Sequence, residues 1–171
     1  MPSKPSFDSV ISLYSAEIFA YLWRHLYGRD DAEDCLQEVF LRAFKAYERL
    51  DGDANIRAWL YKIATNEVMS YHRKRNRKFN YQGIFDQDLV STDSSPIQQL
   101  EMKERFEVLM GAVNALPHRQ RSAFLLRKYH ELSYVDIARI LDCSEEAARA
   151  NVYQALKKLR VRFVDTKQKE K

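Results

Sequence analysis

Only four glycines and four prolines punctuate 171 residues. An average chain uses about 7% glycine and about 5% proline, so tight turns are scarce here. Short strands joined by such turns are a poor fit, which argues against an all-β sandwich or barrel. Collagen-like and Pro/Gly-rich low-complexity readings are excluded on the same ground. The apolar fraction, 46%, is that of a globular chain and too high for a disordered one. The expected fold class is all-α, and the length allows one ordinary domain or two small ones.

Apolar residues recur every three or four positions, as helices that bury one face require. Val10, Leu13/Tyr14, Ile18, Tyr21/Leu22 and Leu26 predict a first helix over 8–27, stopped by Gly28. A second is expected from Asp30, which would act as N-cap with Glu33 reaching back. Its apolar stripe is Cys35/Leu36, Val39/Phe40, Ala43/Phe44 and Tyr47, and its opposite face is Asp34, Gln37, Glu38 and Arg42. After a turn-rich loop at 50–55, a third helix is predicted over 56–75, with Trp59 read as core packing.

From Phe79 to Pro96 the helical period fails, and Gly83, Ser91, Thr92, Ser94 and Ser95 mark a flexible linker. The expected organisation is a helical unit over 1–78, a linker over 79–96 and a second unit over 97–171. In the second unit, Leu100, Phe106, Leu109/Met110, Val113 and Leu116 give a helix closed by Pro117. A short helix over 118–129 follows, then one over 134–141 capped by Ser133. The last begins at Glu145 behind Ser144 and reaches Phe163 or beyond.

Charge is unevenly placed. Residues 71–78 hold five Lys/Arg and no acid, residues 79–102 hold four acids and no Lys/Arg, and residues 149–171 hold eight basic against two acidic side chains. Two basic blocks at helix ends favour a polyanion partner. The stretch 133–159 has helix–turn–helix spacing: a short capped helix, the connection Asp142-Cys143-Ser144, and a longer basic helix. The turn lacks glycine, although Asp142 can tolerate a left-handed conformation at some cost. Ala148 and Val152 anchor the second helix, leaving Arg149, Tyr153, Gln154 and Lys157 outward, where Arg or Gln can bond base edges in a major groove. Lys157, Lys158 and Arg160 would meet phosphates. An ordinary helical hairpin with a solvated basic end is the plainer alternative.

Enzymatic readings find little support. Asp30, Asp31, Glu33 and Asp34 crowd one helix start and cannot surround an ion, and His25, His72, His118 and His130 are scattered. There is no P-loop and no dinucleotide fingerprint. Cys35 and Cys143 form no CxxC pair. No metal, cofactor or catalytic residue is expected. No apolar run approaches membrane-span length and the N-terminus has no signal-peptide pattern, so the expected location is the cytoplasm, without membrane insertion.

Three blocks of the first unit and three of the second carry a family resemblance. They are Asp-Ala-Glu-Asp-Cys-Leu-Gln-Glu-Val-Phe-Leu-Arg-Ala-Phe (31–44), Ile-Arg-Ala-Trp-Leu-Tyr-Lys-Ile-Ala-Thr-Asn (56–66), the basic run 71–78, Leu-Pro-His-Arg-Gln-Arg-Ser-Ala-Phe (116–124), Leu-Ser-Tyr-Val-Asp-Ile-Ala (132–138) and Ala-Leu-Lys-Lys-Leu-Arg (155–160). In this order they resemble the small extracytoplasmic-function (ECF, group 4) RNA polymerase sigma factors of the sigma-70 family. The resemblance implies two helical domains, a sigma-two-like bundle of three or four helices and a sigma-four-like helix–turn–helix domain, joined by an acidic linker. It implies a factor that recruits core polymerase and directs promoter-specific initiation, without catalysis of its own.

The resemblance also assigns roles. Asp34, Gln37, Glu38 and Arg42 match the positions that dock on the clamp helices of the large polymerase subunit, the flap being a second contact. Leu50, Asp51, Gly52, Asp53, Ala54 and Asn55 match the pocket for a flipped base of the minus-ten element, with Tyr61 as aromatic neighbour and Lys62 and Asn66 near the same strand. Arg73, Lys74, Arg75 and Arg77 would hold phosphates around the melted region. Reading of the minus-thirty-five element transfers to Glu146, Arg149, Ala150, Tyr153, Gln154, Lys157 and Lys158. Ala150 and Asn151 stand where the family more often has Ser and Arg. Many members are held by an anti-sigma protein, a further expected partner class. The alternative is a DNA-binding regulator with a similar helix–turn–helix, which would leave residues 31–78 without a role.

Overall fold

The computed structural model describes residues 4–26, 28–79 and 96–169, and all regular structure among them is helical. Seven helices follow in order: α1 (Phe7–Leu26), α2 (Arg29–Tyr47), α3 (Ile56–Phe79), α4 (Pro96–Asn114), α5 (His118–Lys128), α6 (Tyr134–Leu141) and α7 (Glu145–Lys169). The chain divides into two compact units, one carrying α1–α3 and the other the bulk of α4–α7. The stretch expected as a linker lies almost wholly outside the described residues.

In the first unit α1, α2 and α3 pack against one another in all three pairs. Val10, Ile18, Tyr21, Leu22 and Leu26 of α1 meet Ala32, Cys35, Val39 and Ala43 of α2 and Leu60, Tyr61, Ala64 and Val68 of α3 in the buried core. The alanines allow the helices to approach closely. Tyr21 and Tyr61 stack edge to face with ring centroids 5.3 Å apart, and the Tyr21 hydroxyl lies 2.8 Å from that of Thr65, so both polar groups are satisfied indoors. Arg57 of α3 grips Glu17 of α1 through two bonds of 3.0 Å. Leu13 and Phe44, expected on apolar stripes, are 69% and 62% exposed; each stripe is narrower than its apolar run, with Ala43 buried and Tyr14 half-buried.

Local signals at the start of α2 resolve differently from expectation. Gly28 is not a left-handed stop: it is the N-cap of α2 with φ −105 and ψ 136. Asp30 therefore sits inside the first turn and caps nothing, and Glu33 pairs with Arg29 at 2.8 Å. A carboxylate within the first turn still interacts favourably with the helix dipole, which is why Asp30 and Asp31 are tolerated there. The third helix also runs on to Phe79, four residues past its expected end.

In the second unit α7 packs chiefly on α5 and also touches α4. Met110, Val113, Leu116, Phe124, Leu125, Leu126, Ile137, Ala148, Val152, Ala155 and Leu159 are buried, whereas Phe106 is 39% exposed. The Ser133 hydroxyl accepts the Asp136 N–H at 3.1 Å, and the Ser144 hydroxyl accepts that of Ala147 at 3.1 Å, so both caps form. Asp142 takes φ 48 in the connection between α6 and α7, and Glu131 takes φ 54 ahead of α6.

Candidate nucleic-acid and polymerase interfaces

Each group of residues singled out in the sequence can be placed on an element. On α2, burial of Cys35, Val39 and Ala43 turns Asp34, Gln37, Glu38 and Arg42 outward, and all four are exposed. Their spacing of three and four makes one row. Leu41, 47% exposed, lies within it and adds an apolar patch. Arg42 is not a simple outward cation. Its guanidinium lies 3.0 Å from a carboxylate oxygen of buried Glu67 on α3 without meeting hydrogen-bond geometry, and 3.9 Å from Glu38. Glu67 was not among the residues singled out in the sequence.

The loop between α2 and α3 is a short series of turns. The Leu50 N–H bonds the Tyr47 carbonyl and the Ala54 N–H bonds that of Asp51, both at 3.1 Å. Asp51, Gly52, Asp53 and Asn55 are exposed, while Leu50 and Ala54 are half-buried. Asn55 also supports the fold, because its side-chain oxygen accepts the Ala58 N–H at 3.0 Å and caps α3. Lys4 braces the loop by donating to the carbonyls of Tyr47 and Leu50, and the Tyr47 hydroxyl donates to the Pro5 carbonyl at 2.7 Å.

Along α3, Asn66, Arg73 and Arg77 are exposed and Lys62 is half-buried, and their spacing puts them on one face. Arg75 is drawn inward. It donates at 3.1 Å to the Tyr71 hydroxyl, which itself donates at 2.5 Å to Asp31 of α2. Burial, reinforced by that bond to Asp31, pushes the Tyr71 hydroxyl up to about 12. Tyr61 corrects an expectation. It is completely buried against Tyr21, so it cannot stack on an extruded base. Burial raises its hydroxyl far above the usual tyrosine range. Tyr61 instead makes the contact of α3 with α1.

On α7, burial of Ala148, Val152, Ala155 and Leu159 sends Glu146, Arg149, Ala150, Tyr153, Gln154, Lys157 and Lys158 to the opposite, exposed side. Tyr153 is 63% exposed. A hydrogen bond from its own backbone N–H, and then one from the Ser144 hydroxyl, hold the Glu146 carboxyl below its usual range. Arg149 donates to Glu145 at 2.5 Å and stacks over the ring of Tyr134.

Two family models match the chain. Residues 10–78 match Sigma-70 region 2, and residues 106–159 match Sigma-70, region 4. The chain belongs to the sigma-70 family. Its relatives place it in the ECF group. It is 28% identical over 160 residues to the ECF RNA polymerase sigma-E factor of Haemophilus influenzae, covering 89% of this chain and 84% of that one. It is 27% identical over 173 residues to the RNA polymerase sigma factor YlaC of Bacillus subtilis, covering 100% and 99%. Among solved structures, the sigma factor RpoE from Bartonella quintana, crystallised with the anti-sigma factor NepR, superposes with a TM-score of 0.75 at 26% identity, covering 92% of this chain and 96% of that one.

This ECF sigma factor is accordingly a transcription initiation factor and not an enzyme, with core RNA polymerase and promoter DNA as its partners. No described helix is long and apolar enough to cross a membrane.

Proposed function

We propose that this sigma factor selects promoters by two separate readings, with α7 meeting the minus-thirty-five element as duplex and the first unit holding the melted minus-ten strand. In this reading residues 1–78 and 97–171 act as the two functional domains, with 79–96 as the linker. The observation that carries it is the division of α7 into a buried row and an opposite row, Glu146 to Lys158, that is wholly exposed. A helix so presented fits a major groove, with Arg149 and Gln154 able to bond base edges and Lys157 and Lys158 able to meet phosphates. For the other strand, the exposed loop 51–53 and the α3 face with Asn66, Arg73 and Arg77 offer polar and cationic groups. Asp34, Gln37 and Glu38 on α2 supply an acidic row for a basic coil of the polymerase.

Transcription in vitro from fragmented source DNA, with core polymerase and this protein, tests the reading. Discrete starts sharing two upstream motifs are expected. Starts sharing only a motif next to the melted region would remove the role given to α7. Polymerase-independent binding to a single duplex motif, with no starts above core polymerase alone, would favour a plain DNA-binding regulator.

A further inference from the structure

The ring of Tyr134, the first residue of α6, carries two guanidinium groups. The Cζ atom of Arg149 lies 4.3 Å from its centroid and that of Arg127 lies 4.7 Å away. Arg127 is itself tethered, donating to the Leu132 carbonyl at 2.9 Å. The backbone under Tyr134 is fixed by the Ser133 cap, and Arg149 also donates to Glu145 at 2.5 Å. Two cations sharing one ring repel each other, and the Glu145 carboxylate offsets that charge. The outcome is unusual for an outward arginine on an exposed helix face. Its long side chain is already placed before any DNA arrives.

We infer that Tyr134 is a positioning residue for Arg149, and that with Glu145 it presets the Arg149 guanidinium for a base edge rather than for phosphate. The inference rests on the reading that α7 meets duplex DNA. A guanidinium seated over the ring has fewer directions in which to aim its donors, a restriction that suits a bidentate base contact and that a phosphate contact does not need. Part of the side-chain freedom that binding would otherwise remove is already restricted. Glu145 acts in the complementary sense. A cation already paired with a carboxylate gains less from a generic phosphate, so Arg149 adds little to binding that ignores sequence. Tyr134 touches no base in this scheme; it acts through Arg149.

The test uses the full chain with core polymerase and a duplex pool randomised over the upstream segment, with recovered sequences counted. Arg149→Ala should flatten the base preference at one position by about fivefold or more, the loss expected of a bidentate pair. Tyr134→Leu should flatten the same position and Tyr134→Phe should retain it. In the Arg149→Ala background, Tyr134→Leu should add nothing further, because both changes remove one interaction. Glu145→Gln should raise recovery of unrelated sequences and steepen the salt dependence by about one counterion.

Tyr134→Leu that keeps the preference while Arg149→Ala loses it overturns the inference and leaves the α7 reading intact. So does a uniform loss across all sequences. Arg149→Ala with no positional effect overturns the base-edge role of Arg149 and the inference with it. Thermal melting of each variant accompanies the counts, and if Tyr134→Leu fails to fold, Tyr134→Met is measured in its place; the Glu145→Gln arm decides independently.

Discussion

At the residue scale, Arg42 joins the surface to the core. It lies on the exposed α2 row proposed for polymerase docking, while its guanidinium faces the buried carboxylate of Glu67. Removing the guanidinium leaves that carboxylate without its ion partner. Arg42→Ala should therefore cost about 1–3 kcal/mol of stability in the absence of polymerase, read by thermal or denaturant melting. Adding Glu67→Leu should recover most of it, because an apolar side chain at a buried site carries no desolvation penalty. A melt unmoved by Arg42→Ala would place Arg42 wholly on the docking side. Tyr71 gives a second prediction at this scale. Its folded-state value of about 12 stands above the value of about 10 in an unfolded chain. Above pH 10 the unfolded state then holds fewer protons than the folded one, so stability falls as pH rises. The contribution is complete below about pH 10 and lost as pH climbs through about 12, and Tyr61 acts in the same direction. Melting temperature should drop over that window, and Tyr71→Phe should make the drop shallower.

Elements were legible where periodicity and caps agree. Ser133 and Ser144 announced α6 and α7 in the sequence, and both hydroxyls accept the expected backbone N–H. Each should be worth about 1 kcal/mol, so Ser133→Ala and Ser144→Ala should lower the second unit's stability by that amount in separate melts. The left-handed turn at Asp142 was also readable, since no glycine was there to take it. Its counterpart at Glu131 was not, because a glutamate gives no local sign of positive φ. Glu131→Gly should stabilise, and Glu131→Val should destabilise by about 1 kcal/mol or more. The start of α2 misled for a related reason. Gly28 reads equally as the end of one helix or the beginning of the next, and only the packing of α1 on α2 decides between extended and left-handed backbone. Tyr61 failed differently. In α3 the core face holds Tyr61, Thr65 and Glu67 among its apolar residues, so hydropathy alone cannot tell the inner side from the outer. The polar partners that make those residues acceptable indoors come from α1 and α2, far away in sequence.

For the whole molecule, the division into two compact units has a functional consequence. The first unit carries the exposed row Asp34, Gln37 and Glu38, and the second carries the exposed row of α7. Base contacts and polymerase contacts should then respond to different substitutions. Glu38→Lys reverses a charge at an exposed position, where the folded state has little to lose. Placed against a basic coil it replaces attraction by repulsion, so polymerase binding should weaken by about tenfold or more, chiefly through slower association and with a marked salt dependence. Duplex preference, measured on the polymerase-bound fraction, should remain as it was. Glu38→Gln should fall between the two, because it removes the attraction without adding repulsion. Equal weakening of polymerase binding by Glu38→Lys and by the same charge change at an exposed acid off that row, such as Asp8→Lys on α1, would mean that net charge matters and the α2 row does not. A loss confined to Glu38 would localise the contact to that row.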